Sequence, residues 1–410
     1  MKILEVLTYY RPWVSGLTIY VERLSRALVR QGHDVTVLTS QYDPDLPQFD
    51  VVDGVKIVRV PVALRVSKGV LMPGFGPMAW KLSQQTDAIH LHLPQFDAPG
   101  VAARGRFLRK PVVLTYHCDL QLPTGLFNRL VDRVVQVQNR LAGHFADAVV
   151  TYTRDYGTHS PFLSHYLGEK LHIIPPPVEL APAEAADVDA FRAKHQLHGR
   201  PTIGISARLA AEKGVEVLLQ ALPRILQAHP DAVVLHAGPY QEIVGEEAYA
   251  ARLEPLFQKY ERNYKRLGTL HGRELTAFYR NLDVLCVTSL NSTESFGLVQ
   301  IEAMKNGVPV AEPGLPGVRQ PVTMTGMGQV TPIGDADALA TAVTNMLTNR
   351  AAYQRDADLI GRTFSPDATA VAYAKLFDDI KNGRFDRATR EPAAYDRLRQ
   401  MRDKYEGNDS

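Results

Sequence analysis

The chain has 410 residues, 45% hydrophobic and 22% charged, with a formal net charge of +2 and two cysteines. That length exceeds one ordinary core and points to two domains, while the near-neutral charge excludes the basic field of a nucleic-acid binder. Two cysteines build no disulfide framework, and without an apolar run of about 18 residues no segment is expected to span a membrane.

The chain opens on MKILEVLTYY, where Glu5 interrupts an apolar run too short for a signal peptide. The stretch reads as a first strand over 2–8, in a protein expected to be cytoplasmic. A helix over 22–32 ends at Gly32, a residue suited to the left-handed turn that closes helices. Strands follow at 34–40, 88–93, 111–117 and 148–153 as runs of Val, Ile and Leu. Such runs suit strands buried on both faces of a parallel sheet, and their alternation with helices makes a doubly wound α/β domain. Within it, 125–141 reads as an amphipathic helix, with Leu126, Leu130, Val134, Val137 and Leu141 on one stripe and Arg129, Arg133 and Arg140 on another face. Two readings stand: the stripe packs on its own sheet, or it meets an anionic membrane and fetches a lipid acceptor.

The pattern pauses over the proline-rich segment 173–191. It restarts with strands at 201–207, 232–238, 283–289 and 308–313, a second α/β domain. Cys118 and Cys286 lie in apolar strand-like runs and read as small packed hydrophobes of a reducing compartment. A helix over 365–380 has Ser365 as N-cap and Pro366 in its first turn. The charged residues 381–410 read as a tail, either a surface helix or disordered. The expected domains are therefore 1–180 and 181–364. Ligands of such sheets bind beyond the carboxyl ends of the strands, so the loops there carry the chemistry.

After the first strand, Ser15-Gly16 leads into a helix. Such a loop can approach a phosphate or sugar closely, or be a plain turn; it is not GxGxxG, so a dinucleotide fingerprint is absent. His90 and His92 alternate and share one face of their strand. An HxH pair can bind zinc, but no third ligand stands out at a suitable spacing, and a satisfied core role suits His90 better. His117 closes its strand, where a cleft would lie. In the second domain, Arg208 follows the strand at 201–207 and Lys213 precedes the next helix. Two cations at the mouth of a parallel sheet suit an oligophosphate, or else form a surface ion pair. The stretch ESFGLVQIE (294–302) sets Glu294 just ahead of a helix expected over about 296–306, with Glu302 inside it. The N–H groups of Phe296, Gly297, Leu298 and Val299 would form an anion site at that helix start. Gly297 would let the backbone approach closely. At about 1.5 Å per residue Glu302 lies on the order of 8 Å along the axis from that site. It is placed to accept hydrogen bonds from hydroxyls instead of touching a phosphate. A phosphate site flanked by two hydroxyl acceptors outlines a sugar nucleotide.

These residues resemble a known family. ESFGLVQIEAMKNGVPV is similar to the E-x7-E signature of retaining glycosyltransferases of the GT-B fold, family 4 (glycosyl transferases group 1). SARLAAEKG is similar to their Arg…Lys-Gly phosphate motif, and SGLTIYVERLSRALVRQGHDVTVLT and TYHCD to their N-terminal glycine loop and histidine. The resemblance covers about residues 1–380. It implies an α/β GT-B architecture of two doubly wound Rossmann-like domains facing each other across a cleft. The first (1–180) would serve the acceptor and the second (181–364) the nucleotide sugar, with the helix at 365–380 crossing back to the first. The resemblance implies that Glu294 holds hydroxyls of the donor hexose and Glu302 the ribose. Arg208 and Lys213 would bind the diphosphate and stabilise it as it leaves, and Phe296, Gly297, Leu298 and Val299 would offer backbone N–H groups. Gly16 would lie against the diphosphate, His117 would contact the donor sugar and help place the acceptor, and the base would sit against Leu270 in LGTLHG (267–272). Catalytic roles thus fall to His117, Glu294, Arg208 and Lys213. The chain departs from the family pattern at Ser15-Gly16, where Gly-Gly is frequent, at IIPPPVEL, where Pro-Asn-Gly is usual, and at Gln320, near where an acid is frequent. These departures bear on donor choice and loop geometry.

The expected chemistry is departure of a nucleoside diphosphate from an anomeric carbon, with negative charge growing on the leaving phosphate. Arg208, Lys213 and the 296–299 amides would neutralise it, so no metal is expected, and no cofactor beyond the UDP- or GDP-linked donor. The Asp43/Asp45, Asp187/Asp189 and Asp335/Asp337 pairs read as turn and capping residues. By residues alone, retention through Glu294 as nucleophile stays open; the resemblance implies front-face substitution, in which the leaving phosphate takes the acceptor's proton. The expected acceptor is lipid-linked or a glycan, in envelope glycolipid or polysaccharide synthesis. With the helix at 125–141, that would bring the protein to the inner face of a membrane, and the apolar, glycine-rich stretch 64–80 points the same way. The alternatives are a non-catalytic sugar-nucleotide sensor or scaffold and a sugar-nucleotide epimerase of the same fold.

Overall fold

The structure is a computed structural model that describes residues 1–66, 69–121, 126–241, 243 and 245–406, the side chains of 66, 126–130 and 406 excepted. The chain divides into two units. One is formed by Met1–Val178 and Phe364–Pro392, the other by Glu179–Thr363 and the chain from Ala393 onward.

The first unit runs β1 (Lys2–Val6), α1 (Gly16–Arg30), β2 (Asp34–Gln41), β3 (Phe49–Val52), β4 (Val55–Pro61), β5 (Leu64–Val66), β6 (Gly69–Leu71), α2 (Phe75–Gln85), β7 (Ala88–Leu93), α3 (Ala98–Phe107), β8 (Val112–Tyr116), α4 (Leu126–Phe145), β9 (Ala148–Thr151), α5 (Arg154–His159) and β10 (Leu171–Ile173). Its main sheet has the order β10-β9-β8-β7-β1-β2-β4-β3. The strands are parallel except for β3, which pairs antiparallel with β4 at the edge. Every residue of β7, β8 and β9 is buried, as their unbroken apolar runs require. The helix α1 starts well before Glu22, where the sequence pattern placed it. The cause is a cap: the Ser15 hydroxyl accepts the amide of Thr18 at 3.1 Å, with Ser15 itself extended.

The second unit runs α6 (Ala185–Lys194), β11 (Thr202–Ser206), α7 (Val215–Ala228), β12 (Val233–Ala237), α8 (Glu247–Lys259), β13 (Tyr264–Gly268), α9 (Gly272–Arg280), β14 (Val284–Cys286), α10 (Leu298–Met304), β15 (Val310–Pro313), α11 (Gln320–Thr325), β16 (Gly328–Thr331), α12 (Ala336–Thr348) and α13 (Ala357–Thr363). The sheet order is β13-β12-β11-β14-β15-β16, parallel throughout. Ile203, Ile205, Leu218, Leu222, Val234 and Val343 form its buried core.

The chain then returns. The helix α14 (Pro366–Lys381) joins the first unit, where Ser365 caps it and Tyr373 and Phe377 are wholly buried. Thr369 Oγ1 donates to the Pro175 carbonyl at 2.9 Å, and the Val178 amide to the Phe364 carbonyl at 2.7 Å. The helix α15 (Ala393–Glu406) belongs to the second unit. The segment that reads as a charged tail therefore contains a packed helix: Tyr395 and Leu398 are wholly buried, and Arg402 Nη1 donates to the Thr323 carbonyl at 2.6 Å. Charge dominates its composition, but Tyr395, Leu398 and Met401 recur at helical spacing and make one apolar stripe. No described helix is long and apolar enough to cross a membrane.

In each sheet the strand order reverses beside a central strand. β1 lies between β2 and β7, and β11 lies between β12 and β14. Ligand sites of doubly wound sheets form outside the carboxyl ends of the strands at such a reversal. The loop after β1 carries Ser15 and Gly16, and the loops after β11 and β14 carry Arg208, Lys213 and Glu294.

Candidate active site

The loops after β11 and β14 are laced together. Gly214 is left-handed (φ 58°), and a Cβ there would lie 2.3 Å from the Thr288 carbonyl oxygen. Only glycine lets the two backbones come this close. Thr288 Oγ1 donates to the Lys213 carbonyl at 2.7 Å, and the Leu290 amide donates to the Glu212 carbonyl at 2.9 Å. This lacing brings Lys213 Nζ onto Glu294 Oε2 as an ion pair, with side chains 22% and 21% exposed. Arg208, more open to solvent, pairs with Glu212. Glu212 had no part in the sequence reading. Arg208 lies in the loop after β11 and Glu212 in a short 3₁₀ turn, so their spacing of four carried no helical signal.

The second acid is held from below. Glu302, in α10, is 7% exposed, and its Oε2 accepts a 2.8 Å hydrogen bond from the Tyr279 hydroxyl of α9. The helix α10 is shorter than the sequence pattern suggested, because Gly297 sits at φ 76° and cannot belong to it. With seven residues it supplies first-turn amides at Leu298 and Val299 but little dipole. Phe296 is buried and anchors the turn. Gln300, also buried, donates through Nε2 to the carbonyls of Phe296 at 3.0 Å and Val318 at 2.9 Å. Behind it lies Glu312 of β15, wholly buried, with neither oxygen in a hydrogen bond of good geometry. Burial pushes this carboxyl well above the usual range, and the nearby Gln300 side chain and Val322 amide offset that only in part. The sequence reading noted Gln320 where an acid is frequent and passed over Glu312. Leu270, beyond β13, is buried.

In the first unit, a Cβ at Gly16 would meet no protein atom within 4 Å, so the protein itself does not demand a glycine there. His117 follows β8, 7% exposed, with its amide donating to the Leu93 carbonyl at 3.0 Å. Both its ring nitrogens are engaged: Nε2 lies 3.0 Å from His92 Nδ1, and Nδ1 meets the Tyr152 hydroxyl. The third partner of the HxH pair, invisible from spacing, is Glu5, which stands opposite His90 in the register of β1 with β7. Its Oε2 lies 2.7 Å from His92 Nε2 and 2.9 Å from His90 Nδ1, all three side chains wholly inaccessible. Burial works to raise the Glu5 carboxyl, but the charges and hydrogen bonds of His90 and His92 outweigh it and hold the group down at about 2. Burial pushes His92 down to about 4 and His117 well below its ordinary value.

The family described as "Glycosyl transferases group 1" matches residues 187–362, and "Glycosyl transferase 4-like domain" matches residues 15–177. The chain belongs to this glycosyltransferase family. It is 26% identical over 360 residues to the phosphatidyl-myo-inositol mannosyltransferase of Mycobacterium leprae, across 85% of this chain and 88% of that protein. Sucrose-phosphate synthase from Thermosynechococcus elongatus shares its fold with a TM-score of 0.73 at 22% identity, across 93% of this chain and 99% of that one. HepE of Anabaena, solved with UDP and glucose, does so with a TM-score of 0.72 at 19% identity, across 92% and 99%. These likenesses give the glycosyltransferase the GT-B fold.

One acid of each Asp-x-Asp pair of this glycosyltransferase serves a turn or a cap, while Asp189 and Asp337 pair with Arg192 and Arg224. The Asp45 amide donates to Asp43 Oδ1 at 3.0 Å, Asp187 closes a capping box with Glu184, and Asp335 caps α12. Among the described residues, Glu5, His90 and His92 form the group with metal-ligand composition, their ligand atoms within 4.8 Å of one another. The stripe on α4 does not pack on the sheet where it can be followed: Val134, Val137 and Leu141 are 41%, 55% and 43% exposed. The helix instead buries Asn139 and Ala142. The side chains of Leu126, Arg129 and Leu130, and the whole of Gly125, lie outside the described residues.

Proposed function

We propose that this glycosyltransferase is a retaining, metal-independent hexosyltransferase. It moves a hexose from a UDP- or GDP-sugar to a lipid-linked or glycan acceptor, in envelope glycolipid or polysaccharide synthesis at the inner face of a membrane. The observation that carries this reading is the Lys213–Glu294 pair, fixed by the contact of Gly214 with Thr288 where the sheet order reverses. A cation and a carboxylate held side by side at that point suit the two ends of one bond: a phosphoryl oxygen on Lys213 and a sugar hydroxyl on Glu294.

In the mechanism, the bond between the anomeric carbon and the diphosphate oxygen breaks, and negative charge collects on that oxygen. Lys213 and Arg208, with the amides at 296–299, stabilise it in place, which is the term of largest effect in such reactions. The acceptor hydroxyl attacks from the same face and passes its proton to the leaving phosphate, so configuration is retained and no protein base is needed. Glu302, oriented by Tyr279, accepts from the ribose hydroxyls. Leu270 borders the base, Gly16 leaves room for the diphosphate, and His117 serves the sugar and the acceptor. A UDP donor is in keeping with the HepE structure, and a lipid acceptor with the phosphatidyl-myo-inositol in the mycobacterial protein's name. The exposed valines and leucine of α4 suit a lipid surface.

Lys213→Ala should lower kcat by about 10²–10³-fold, the usual cost of one donor to a developing oxyanion, without lowering the melting temperature. Turnover in this variant equal to the wild type would overturn the reading, and donor binding without turnover in the wild type would mark a sensor.

A further inference from the structure

Glu5 is an acid between Leu4 and Val6 in an otherwise apolar stretch of β1, with no solvent access and no place in the transfer chemistry. Its surroundings explain it. A carboxylate only accepts hydrogen bonds, so His92 must present Nε2–H to Glu5 Oε2 across 2.7 Å. Neutral His92 then has only an acceptor at Nδ1, so His117 must present Nε2–H to it across 3.0 Å. His117 is left with an acceptor at Nδ1, which the Tyr152 hydroxyl fills as donor. The chain from Tyr152 through His117 and His92 to Glu5 has one direction, fixed by the carboxylate at its end.

We infer that Glu5 is a positioning residue for His117, acting through His92 to hold the His117 ring in its Nε2–H tautomer and in one orientation at the end of β8. The inference rests on the functional reading that His117 meets the sugar or acceptor. A second arm lies against the same carboxylate, its His90 Nδ1 contact outside good hydrogen-bond geometry. His90 Nδ1 lies 2.9 Å from Glu5 Oε2, and His90 Nε2 lies 2.7 Å from Thr115 Oγ1. Thr115 Oγ1 is 2.6 Å from the Tyr373 hydroxyl, which is 2.8 Å from that of Tyr20. Glu5, His90, His92, Tyr20, Tyr152 and Tyr373 are thus the titratable groups around His117. A metal ion suits the group less well. Its ligand atoms are packed at hydrogen-bond separations of 2.7 and 2.9 Å, closer than the roughly 3.4 Å between ligand atoms that each lie about 2.1 Å from a tetrahedral ion.

The test uses the full chain with ¹⁵N-labelled histidine and long-range ring ¹H–¹⁵N spectra. In the wild type, His92 and His117 should both be Nε2–H tautomers, unchanged between about pH 5.5 and 8, across the ordinary histidine range. Glu5→Gln keeps the shape and removes the fixed acceptor. It should mix the tautomers of both rings and lower kcat by about tenfold or more with donor KM within about twofold, and Glu5→Asp should recover part of each. An Nδ1–H tautomer at either ring in the wild type would overturn the proposal, as would Glu5→Gln with unchanged tautomers and kcat. A stoichiometric metal ion lost on Glu5→Gln would also overturn it. Should Glu5→Gln fail to fold, the wild-type spectrum decides alone. The spectra need no substrate. Failure of the glycosyl-transfer reading would appear as absent turnover with these tautomers intact, and failure of this proposal appears in the tautomers themselves.

Discussion

At the scale of single residues, charge was legible where it broke an apolar pattern and illegible where its partner lay far along the chain. Glu302 between Ile301 and Ala303 declared itself, and it is indeed buried against Tyr279. Tyr279→Phe removes a hydrogen bond to a charged group and should cost about 1.5–3 kcal/mol of stability while raising the donor KM; calorimetry and kinetics check both. Glu5 was read only as a break in the N-terminal apolar run, because its partner His92 is 87 residues away. Glu312 was missed too, although it stands in the middle of the apolar strand β15. Its carboxyl is raised in the folded chain, so the folded state holds a proton that the unfolded state releases above about pH 4.3. Stability is therefore full below that pH and falls as pH rises toward the folded value, by up to about 1.4 kcal/mol per unit. Glu312→Gln should gain stability relative to the wild type as pH rises from 4 to 8 in melting experiments. Parallel pH profiles would show that Glu312 is not held protonated.

At the scale of elements, most buried strands and the capped helix at Pro366 were legible, since apolar runs and the Ser-Pro start carry local signals. The inner strand β4, whose apolar run Lys56 and Arg59 interrupt, was not, nor were the edge strands. β3, with Val51 and Val52 exposed, and β13, whose Lys265 and Arg266 are half-buried, lack the apolar runs that mark the sheet's interior. The start of α1 was legible at Ser15-Gly16, which was read as leading into a helix, but not from the apolar pattern, which marked the helix only from Glu22. The helix α4 leaves three apolar side chains in solvent. Replacing Val134, Val137 and Leu141 together by Ser should abolish binding to vesicles of anionic lipid. Stability should change by no more than about 0.5 kcal/mol per site, as for exposed positions elsewhere. Unchanged partitioning onto vesicles would remove α4 from the account of acceptor delivery.

At the scale of the whole molecule, the two α/β sheets could be read from the alternation of patterns, but the proline-rich segment 173–191, read as a pause between them, holds most of α6 (Ala185–Lys194). Of the path of the chain, the resemblance implied the return at the helix over 365–380, but not the last passage at Ala393. The chain passes from the first unit to the second after Val178, back at Phe364 and across again at Ala393, and the last passage is carried by a helix whose composition suggests only solvent. The central claim is that this chain binds a nucleotide sugar and releases its diphosphate with retention and without a metal. The direct measurement is ¹H NMR of the chain incubated in EDTA with UDP-glucose, UDP-GlcNAc, UDP-galactose or GDP-mannose, with the melting temperature followed in parallel. Binding to the folded state alone raises the melting temperature by mass action. The account predicts one donor that raises it selectively and is turned over in EDTA to the nucleoside diphosphate and a sugar product of unchanged anomeric configuration. Release that requires magnesium, an inverted anomer, or no melting shift with any of the four at millimolar concentration would contradict it.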